Sequence, residues 1–534
     1  MLSDTCPDVA GWTPTASGDC AVHASLESAM SHLDCPLYVL NDKGTLKYAV
    51  GGALCPHGTG IPVIAFAPPC PPAHLGDRGF LDAHGLTYPC YAGSMAHGIA
   101  SEVMVSAMGA SGMLGFFGSA GLSLDALRAT VQTLSKRMDG KPFGFNLINS
   151  PGSLEWEQGA VSLFLAHGIH LVEASAYITP TRALVKYRLK GAYLGTGDAV
   201  ITPNNIIAKV SRSEVATRFL EPPPEKLVGK LLAAGEITAE EAQLAARLPM
   251  AQDITAEADS GGHTDHRSAM TLLPTLLQLR NAVQRKYHYQ QPPRVGLAGG
   301  MGAPESAAAA FAMGAAYIVT GSINQACVES GTSFIVREML AQASQTDVAD
   351  APAADMFEMG ATVQVLKRGT RFAERASKLY DLYRRYDSIE ALPPDERTKI
   401  ETVIFRASLD DIWKETRAFF AERNPQQLEK AEDDPRKKMA LTFRWYLGNA
   451  AHWANAGQKD RKQDFQIWCG PAMGAFNDWT RESFLEEPKN REVAVVALQL
   501  LHGAALRLRI QTLRAQGIMP PLNHSWKAPH PEIT

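Results

Sequence analysis

Between about residue 95 and residue 330, short apolar runs alternate with longer segments whose apolar residues recur at helical spacing. Eight runs read as strands: Met104–Met108, Met113–Phe117, Phe143–Leu147, His170–Ala174, Ile206–Val210, Ile254–Ala258, Val295–Ala298 and Tyr317–Thr320. Ser123–Met138, Ser153–His167 and Pro304–Met313 read as helices between them. Strands alternating with helices predict an α/β chain closed into a (β/α)8 TIM barrel. A doubly wound sheet is the runner-up, although no Gly-x-Gly-x-x-Gly run follows the first strand.

On either side the pattern changes. Cys35–Leu40 and Leu46–Gly51 read as strands joined by the turn Asn41-Asp42-Lys43-Gly44, so residues 1–90 form a small domain containing β structure. The barrel occupies 91–340 and is interrupted at 221–248, where Glu221-Pro222-Pro223-Pro224 leads into two short helices. Thr238 and Glu241 stand at the positions of a capping box for the second of these. An insertion of this size is expected to cover the active-site mouth or to meet a partner. From 341 to 534 the chain reads as mostly helical, with Phe372–Arg385, Arg436–Ala454 and Asn490–Leu513 as the strongest candidates and the last fifteen residues as tail. The apolar faces of those helices need burial, which would permit a homodimer.

Composition narrows the class. Apolar residues make up 46% and charged residues 20% of the 534, as in an ordinary globular protein. A net charge of −4 offers no long-range field for nucleic acid. The first eight residues lack the basic and apolar pattern of a signal peptide, and no run of 18 apolar residues suggests a bilayer span. The eight cysteines form no CxxC pair, so free thiols in a cytoplasmic protein are expected and no metal site is.

The chemistry-bearing residues cluster at the ends of the expected strands. Gly299-Gly300-Met301-Gly302 and Gly321-Ser322 follow the last two, where barrels often cradle a phosphate on exposed backbone N–H groups. Such glycines also serve plain tight turns. The sixth strand ends at Glu257 and runs into Asp259-Ser260-Gly261-Gly262-His263, which places His263 on the same face as a candidate acid or carbonyl ligand. His266 lies three residues on, but no third metal ligand is evident. Lys209 stands in an otherwise apolar strand, where it could pair with a phosphate or an electron-rich ring edge, or reach solvent. Asn146 could hydrogen-bond a heterocycle or cap local backbone. Glu257 reads as a partner for backbone or lysine, and the small residues around Ala107, Met108 and Gly109 as a surface for a flat cofactor.

Together these pieces resemble the flavin-dependent barrel family that includes nitronate monooxygenases and bacterial flavin-dependent enoyl reductases. In that family a glutamate-alanine pair usually runs directly into Gly-Gly-His; here Asp259 and Ser260 are inserted. The insert, the helical tail and the segments Asp355–Gly360, Val363–Thr370 and Trp468–Asn477 look like one branch, the trans-acting enoyl reductase subunits of polyunsaturated fatty acid and polyketide synthases. The resemblance implies FMN reduced by NADPH, and reduction of a 2-enoyl thioester carried by an acyl carrier protein. It implies the FMN phosphate on Gly300, Gly302, Gly321 and Ser322, with Asn146 and Lys209 on the ring or ribityl chain. Gly261, Gly262 and Gly299 would line the same site, and His263 would position the thioester or deliver a proton. The basic clusters Lys186–Lys190, Arg368–Arg375 and Lys459–Lys462 are candidate carrier-docking surfaces. Oxidation of small nitronates is the alternative activity. A different barrel dehydrogenase, or a scaffold without flavin, would be further readings.

Overall fold

The computed structural model describes residues 10–15, 20–149 and 154–519. The first eight residues, Ser153 and the last fifteen residues lie outside that set. The expected barrel is present and closed. Eight parallel strands, Cys90–Ala92, Leu114–Phe117, Gly144–Ile148, Leu171–Ser175, Asn205–Val210, Asp253–Glu257, Arg294–Ala298 and Ile318–Thr320, pair in sequence order, with the last hydrogen-bonded to the first.

One strand assignment is corrected. Met104–Met108 belongs to the helix Glu102–Ala110, and Cys90–Ala92 is the first strand. The run is apolar apart from Ser106 because the helix packs Met104, Val105 and Met108 against the barrel's outer wall, and over so short a stretch periodicity could not separate the two readings. Ser101 caps the helix by accepting from Met104 N at 3.1 Å.

The barrel interior is a packed core. Phe80, Tyr91, Phe116, Ile207 and Tyr317 fill its lower half. Two strand glycines make room for rings: a Cβ at Gly296 would lie 2.2 Å from the Tyr317 ring, and one at Gly144 would lie 2.3 Å from Phe116. The helix Arg78–His84 plugs the bottom, with Phe80 stacked on Tyr317 at 4.1 Å. Beside it the fully buried Asp253 accepts from Arg294 Nε at 2.6 Å and Nη2 at 3.0 Å, and pairs with His84 Nε2 at 2.8 Å. Burial works against that charge, but Arg294 and His84 outweigh it and hold the Asp253 carboxyl down at about 2.

The insertion also departs from expectation. Its helices, Glu225–Ala233 and Ala239–Leu244, form as read, and the Thr238–Glu241 capping box is present. They lie on the segment leading into the sixth strand, which is the end opposite the loops that follow the strands. There they pair with the neighbouring Arg182–Leu189 helix through Glu236 and Lys186 at 2.8 Å. The insertion therefore braces the barrel's lower flank and does not cover the mouth.

At the N-terminal side a six-stranded antiparallel sheet contains the hairpin Leu37–Asp42/Thr45–Val50, turned at Lys43 and Gly44, both with positive φ. The long helix Val493–Arg514 ties this sheet to the barrel. Its mean hydropathy and length would suffice to cross a bilayer, although it contains no run of 18 apolar residues. Instead it buries Val496, Leu500, Ala504 and Leu513 inside the molecule. Arg509 donates to the carbonyls of His32 at 2.8 Å and Cys35 at 2.7 Å, clamping the sheet down. The apolar face that suggested a homodimer is thus spent within the chain.

Residues from Val348 to about 468 form a second core around Phe357, Val365, Phe372, Phe405 and Tyr446. This unit is stitched to the barrel mouth. Gln364, on the hairpin Val348–Pro352/Thr362–Leu366, exchanges backbone hydrogen bonds with Gly262 at 2.7 and 2.9 Å. The segment after it runs back over the mouth: a Cβ on Gly470 would lie 2.7 Å from Gly261 N, and one on Gly302 would lie 2.2 Å from Ala472 O.

Replacing Arg294 with Met leaves Asp253 buried with only His84. The expected loss is about 3–5 kcal/mol, read from urea unfolding at neutral pH. Gly302→Ala forces the 468–472 segment to shift. Its expected cost is about 1–3 kcal/mol, with faster proteolysis in that segment than in the parent.

Candidate active site

The loops that follow the eight strands place the sequence-predicted residues on one face. Asn146, third strand, is 3% exposed and its amide nitrogen is already committed. It donates to Glu173 O at 3.1 Å and Ser175 Oγ at 2.9 Å. Its side-chain oxygen makes no hydrogen bond among the described residues and is the atom left for a ligand.

Glu173, on the fourth strand, is fully buried yet was not singled out from sequence beyond its place at a strand end. It accepts from Tyr91 Oη at 3.2 Å, from Ser94 N at 3.1 Å and from the Ser94 hydroxyl, a bond that crosses from the first strand's loop. Burial pushes its carboxyl up, against the pull of Lys209 and Ser94. Lys209 meets Glu257 at 2.7 Å, with the lysine 15% exposed. Burial opposes the ammonium, but Glu257 and Glu173 outweigh it and hold Lys209 above the ordinary lysine range. A cation between two carboxylates is thereby kept charged at the strand ends, which gives Lys209 a paired role in place of escape to solvent.

The glycines divide into two groups. Nothing lies within 4 Å of a Cβ placed on Gly300 or Gly321, so backbone there borders open space. Gly300 also has φ +74, which favours glycine over other residues. Of the others, Gly262 has φ +82, and three are glycine because the chain itself comes close. Gly261 meets Cys469, Gly302 meets Ala472, and Gly299 lies 2.7 Å from the Ala258 carbonyl, measured from its missing Cβ. Gly262 is paired with Gln364, and Ser322 Oγ accepts from Gly470 N at 3.0 Å. Ala107, Met108 and Gly109 sit on the outer helix, with Gly109 against Met138 and Pro142, so the geometric argument for a cofactor surface there is lost.

His263 is half exposed and meets Asp355 Oδ1 through Nε2 at 3.1 Å. Burial would lower its pKa, but the Asp355 hydrogen bond and charge, with Glu257, raise it. His266 is a clasp: Nδ1 binds Asp259 at 2.8 Å and Nε2 binds Asp350 at 3.1 Å. Gln364 Nε2 reaches the same Asp259 oxygen at 3.1 Å. The inserted residue Asp259 therefore anchors the C-terminal hairpin. Three further aromatic residues complete the rim, of which sequence reasoning missed His97 and His452. Trp468 stacks on His97 with ring planes 4° apart, and His452 meets His97 edge-on at 5.0 Å. Burial, with His452, lowers the His97 imidazole to about 4, so it is neutral. Trp468 lay in a segment singled out from sequence, whereas His97 carried no signal.

The basic clusters are largely consumed in structure. Arg188 is 2% exposed and donates to Asn204 O at 2.8 Å. Arg375 and Arg461 converge on the fully buried Asp464.

Comparison with known proteins agrees with this geometry. A family model described as nitronate monooxygenase matches residues 79–356, and one described as acyl-carrier-protein S-malonyltransferase, inserted helical domain, matches 386–465. A polyunsaturated fatty acid synthase protein of Thraustochytrium is 46% identical over 92% of this chain and 33% of its own length. Polyketide biosynthesis protein PksE of Bacillus subtilis is 45% identical over 82% of this chain and 57% of its own. The chain thus spans only a third to just over half of these curated relatives. The crystal structure of the enoyl reductase domain of MlnA, from the macrolactin cluster of Bacillus amyloliquefaciens, superposes with a TM-score of 0.79 at 39% identity, over 83% of this chain and all of that one. The closed barrel, its glycine-lined face and these matches all point one way: the chain belongs to the nitronate monooxygenase family, in the enoyl reductase group it shares with polyketide and polyunsaturated fatty acid synthase proteins.

Proposed function

We propose that this protein is an FMN-dependent enoyl reductase that uses NADPH to saturate the 2,3 double bond of an enoyl thioester held on an acyl carrier protein. The observation that carries the reading is the combination, on one barrel face, of open backbone at Gly300 and Gly321 with a charge-paired Lys209. These residues fit a phosphate-bearing flavin. The glycine backbone can approach a phosphate without a side chain in the way. Asn146 offers an unpaired oxygen to a ring N–H, and Lys209 a cation to an electron-rich edge.

A bound flavin reduced by NADPH would supply the hydride for the β-carbon. The chain's own work is placement, exclusion of water and a proton. Lys209 stays charged because Glu257 and Glu173 flank it, so its position holds through turnover. His263, kept protonated further into the neutral range by Asp355 and Glu257, is the donor for the α-carbon. The segment around Trp468 narrows the mouth, as suits a long substrate arm more than a small free molecule. Similarity to synthase proteins supports a carrier-bound substrate and a cytoplasmic setting.

A second reading, oxidation of nitronates, is favoured by the family match over 79–356. Anaerobic absorbance separates the two. The enoyl reductase bleaches with NADPH and recovers its yellow colour on addition of a 2-enoyl thioester, faster when the thioester is carrier-bound. A nitronate monooxygenase ignores NADPH and is bleached by a nitronate. His263→Ala is expected to slow recovery about 100-fold or more while leaving NADPH bleaching in place. Gly321→Ala fills space that borders no protein atom, so it is expected to leave the fold intact and weaken FMN binding, measured by fluorescence titration of the apoprotein.

A further inference from the structure

The segment Asp355–Gly360 stands outside the barrel, and of its residues only Asp355 has entered the reaction so far, through its charge on His263. It forms the loop of the hairpin Val348–Pro352/Thr362–Leu366, closed by Ala353 N donating to Ala361 O at 2.9 Å. Three contacts set this loop against the sixth-strand turn: the Gly262–Gln364 bridge, the Gln364–Asp259 bond and the clasp of His266 between Asp259 and Asp350. A fourth joins Asp355 Oδ1 to His263 Nε2 at 3.1 Å.

The loop is held from behind as well. Glu358 accepts from Lys437 Nζ at 2.6 Å and from Arg444 Nη1 at 3.5 Å, both on the helix Pro435–Ala456. Arg444 also acts on Asp355 by charge. The charged groups around His263 are therefore Glu257 at its own strand end and Asp355 on the hairpin loop, with Arg444, Glu358 and Lys437 behind. His266, Asp259 and Asp350 form a separate cluster alongside.

We propose that Asp355 is the positioning residue for His263: a carboxylate delivered by the C-terminal unit accepts from Nε2–H, fixes the ring, and leaves Nδ1 as the nitrogen that serves the substrate. The hydrogen bond on one ring nitrogen decides the role of the other. In the reduction, a bound, reduced flavin would supply the hydride to the β-carbon. The Nδ1 proton of the imidazolium passes to the α-carbon. Neutral imidazole remains, still donating Nε2–H to Asp355, and takes its next proton from solvent. The sign of the pH effect follows. A carboxylate at Nε2 raises the imidazole's pKa, and removing its charge lowers it, so proton delivery is lost at a lower pH. This inference rests on the reading of His263 as proton donor, and its test separates the two.

Full-length protein with ring-labelled histidine is titrated by NMR, the His263 signal being identified by its loss in His263→Gln. In Asp355→Asn the His263 midpoint is expected to fall by about 1 pH unit, and in Asp355→Glu to stay near the parent. Thioester-driven recovery of flavin colour is followed across the same pH range, with NADPH bleaching as the internal control. Its high-pH loss is expected to move down with the NMR midpoint in Asp355→Asn, giving about a tenfold deficit at pH 8 and near-parent rates at pH 6. An unmoved His263 midpoint in Asp355→Asn, or a rate loss equal at every pH, overturns the proposal. Recovery unchanged in His263→Gln with a shifted midpoint in Asp355→Asn overturns instead the proton-donor role, while the pairing stands.

Discussion

Gln364 is the residue through which barrel and C-terminal unit become one object. Its carbonyl accepts from Gly262 N at 2.9 Å and from Cys469 N at 3.3 Å, and its own N–H returns to Gly262 O. Its side chain, 4% exposed in total, donates to Asp259. Buried backbone groups that lose such partners are costly, so each of these four bonds constrains the other three. The sixth-strand turn, the hairpin and the segment over the mouth are thereby held at set distances from one another. Without that junction His263 would sit on a free loop, Asp355 would have nothing to meet, and Trp468 would have no reason to lie over His97.

The interior shows how a charged site is carried by a barrel. Asp253 and Arg294 neutralise one another at the bottom, and at the top Lys209 pairs with Glu257 and feels the charge of Glu173. Between them Tyr91 and Tyr317 both reach the Thr255 hydroxyl, at 2.9 and 3.0 Å. The fully buried members, Asp253 and Glu173, are each met by protein donors. Burial penalises each ion, and near neighbours of opposite sign repay it only if they cannot move away. Parallel strands in fixed register provide that restraint, since Lys209 and Glu257 lie on adjacent strands five and six.

Much of this was visible in the sequence, for local reasons. Apolar runs at strand length, the helix over Ser123–Met138, the Thr238 cap, and glycine turns after the last strands depend only on neighbours a few residues away. The failures were also local. Five mostly apolar residues, Met104–Met108, read alike as a strand or as part of the helix Glu102–Ala110, and the position of 221–248 in sequence says nothing about which end of the barrel it joins.

What the sequence determined by itself was the α/β alternation, the barrel it closes into, and a face rich in glycine with Lys209, Asn146 and His263 upon it. Tertiary structure alone decided what each glycine is for. A missing Cβ reads the same whether the space belongs to a ligand, as the clearance at Gly300 and Gly321 allows, or to the protein's own chain, as at Gly261 and Gly302. Only the fold could bring Asp355 to His263 across 92 residues, because that contact is set by how two separately cored units dock and not by any spacing along the chain.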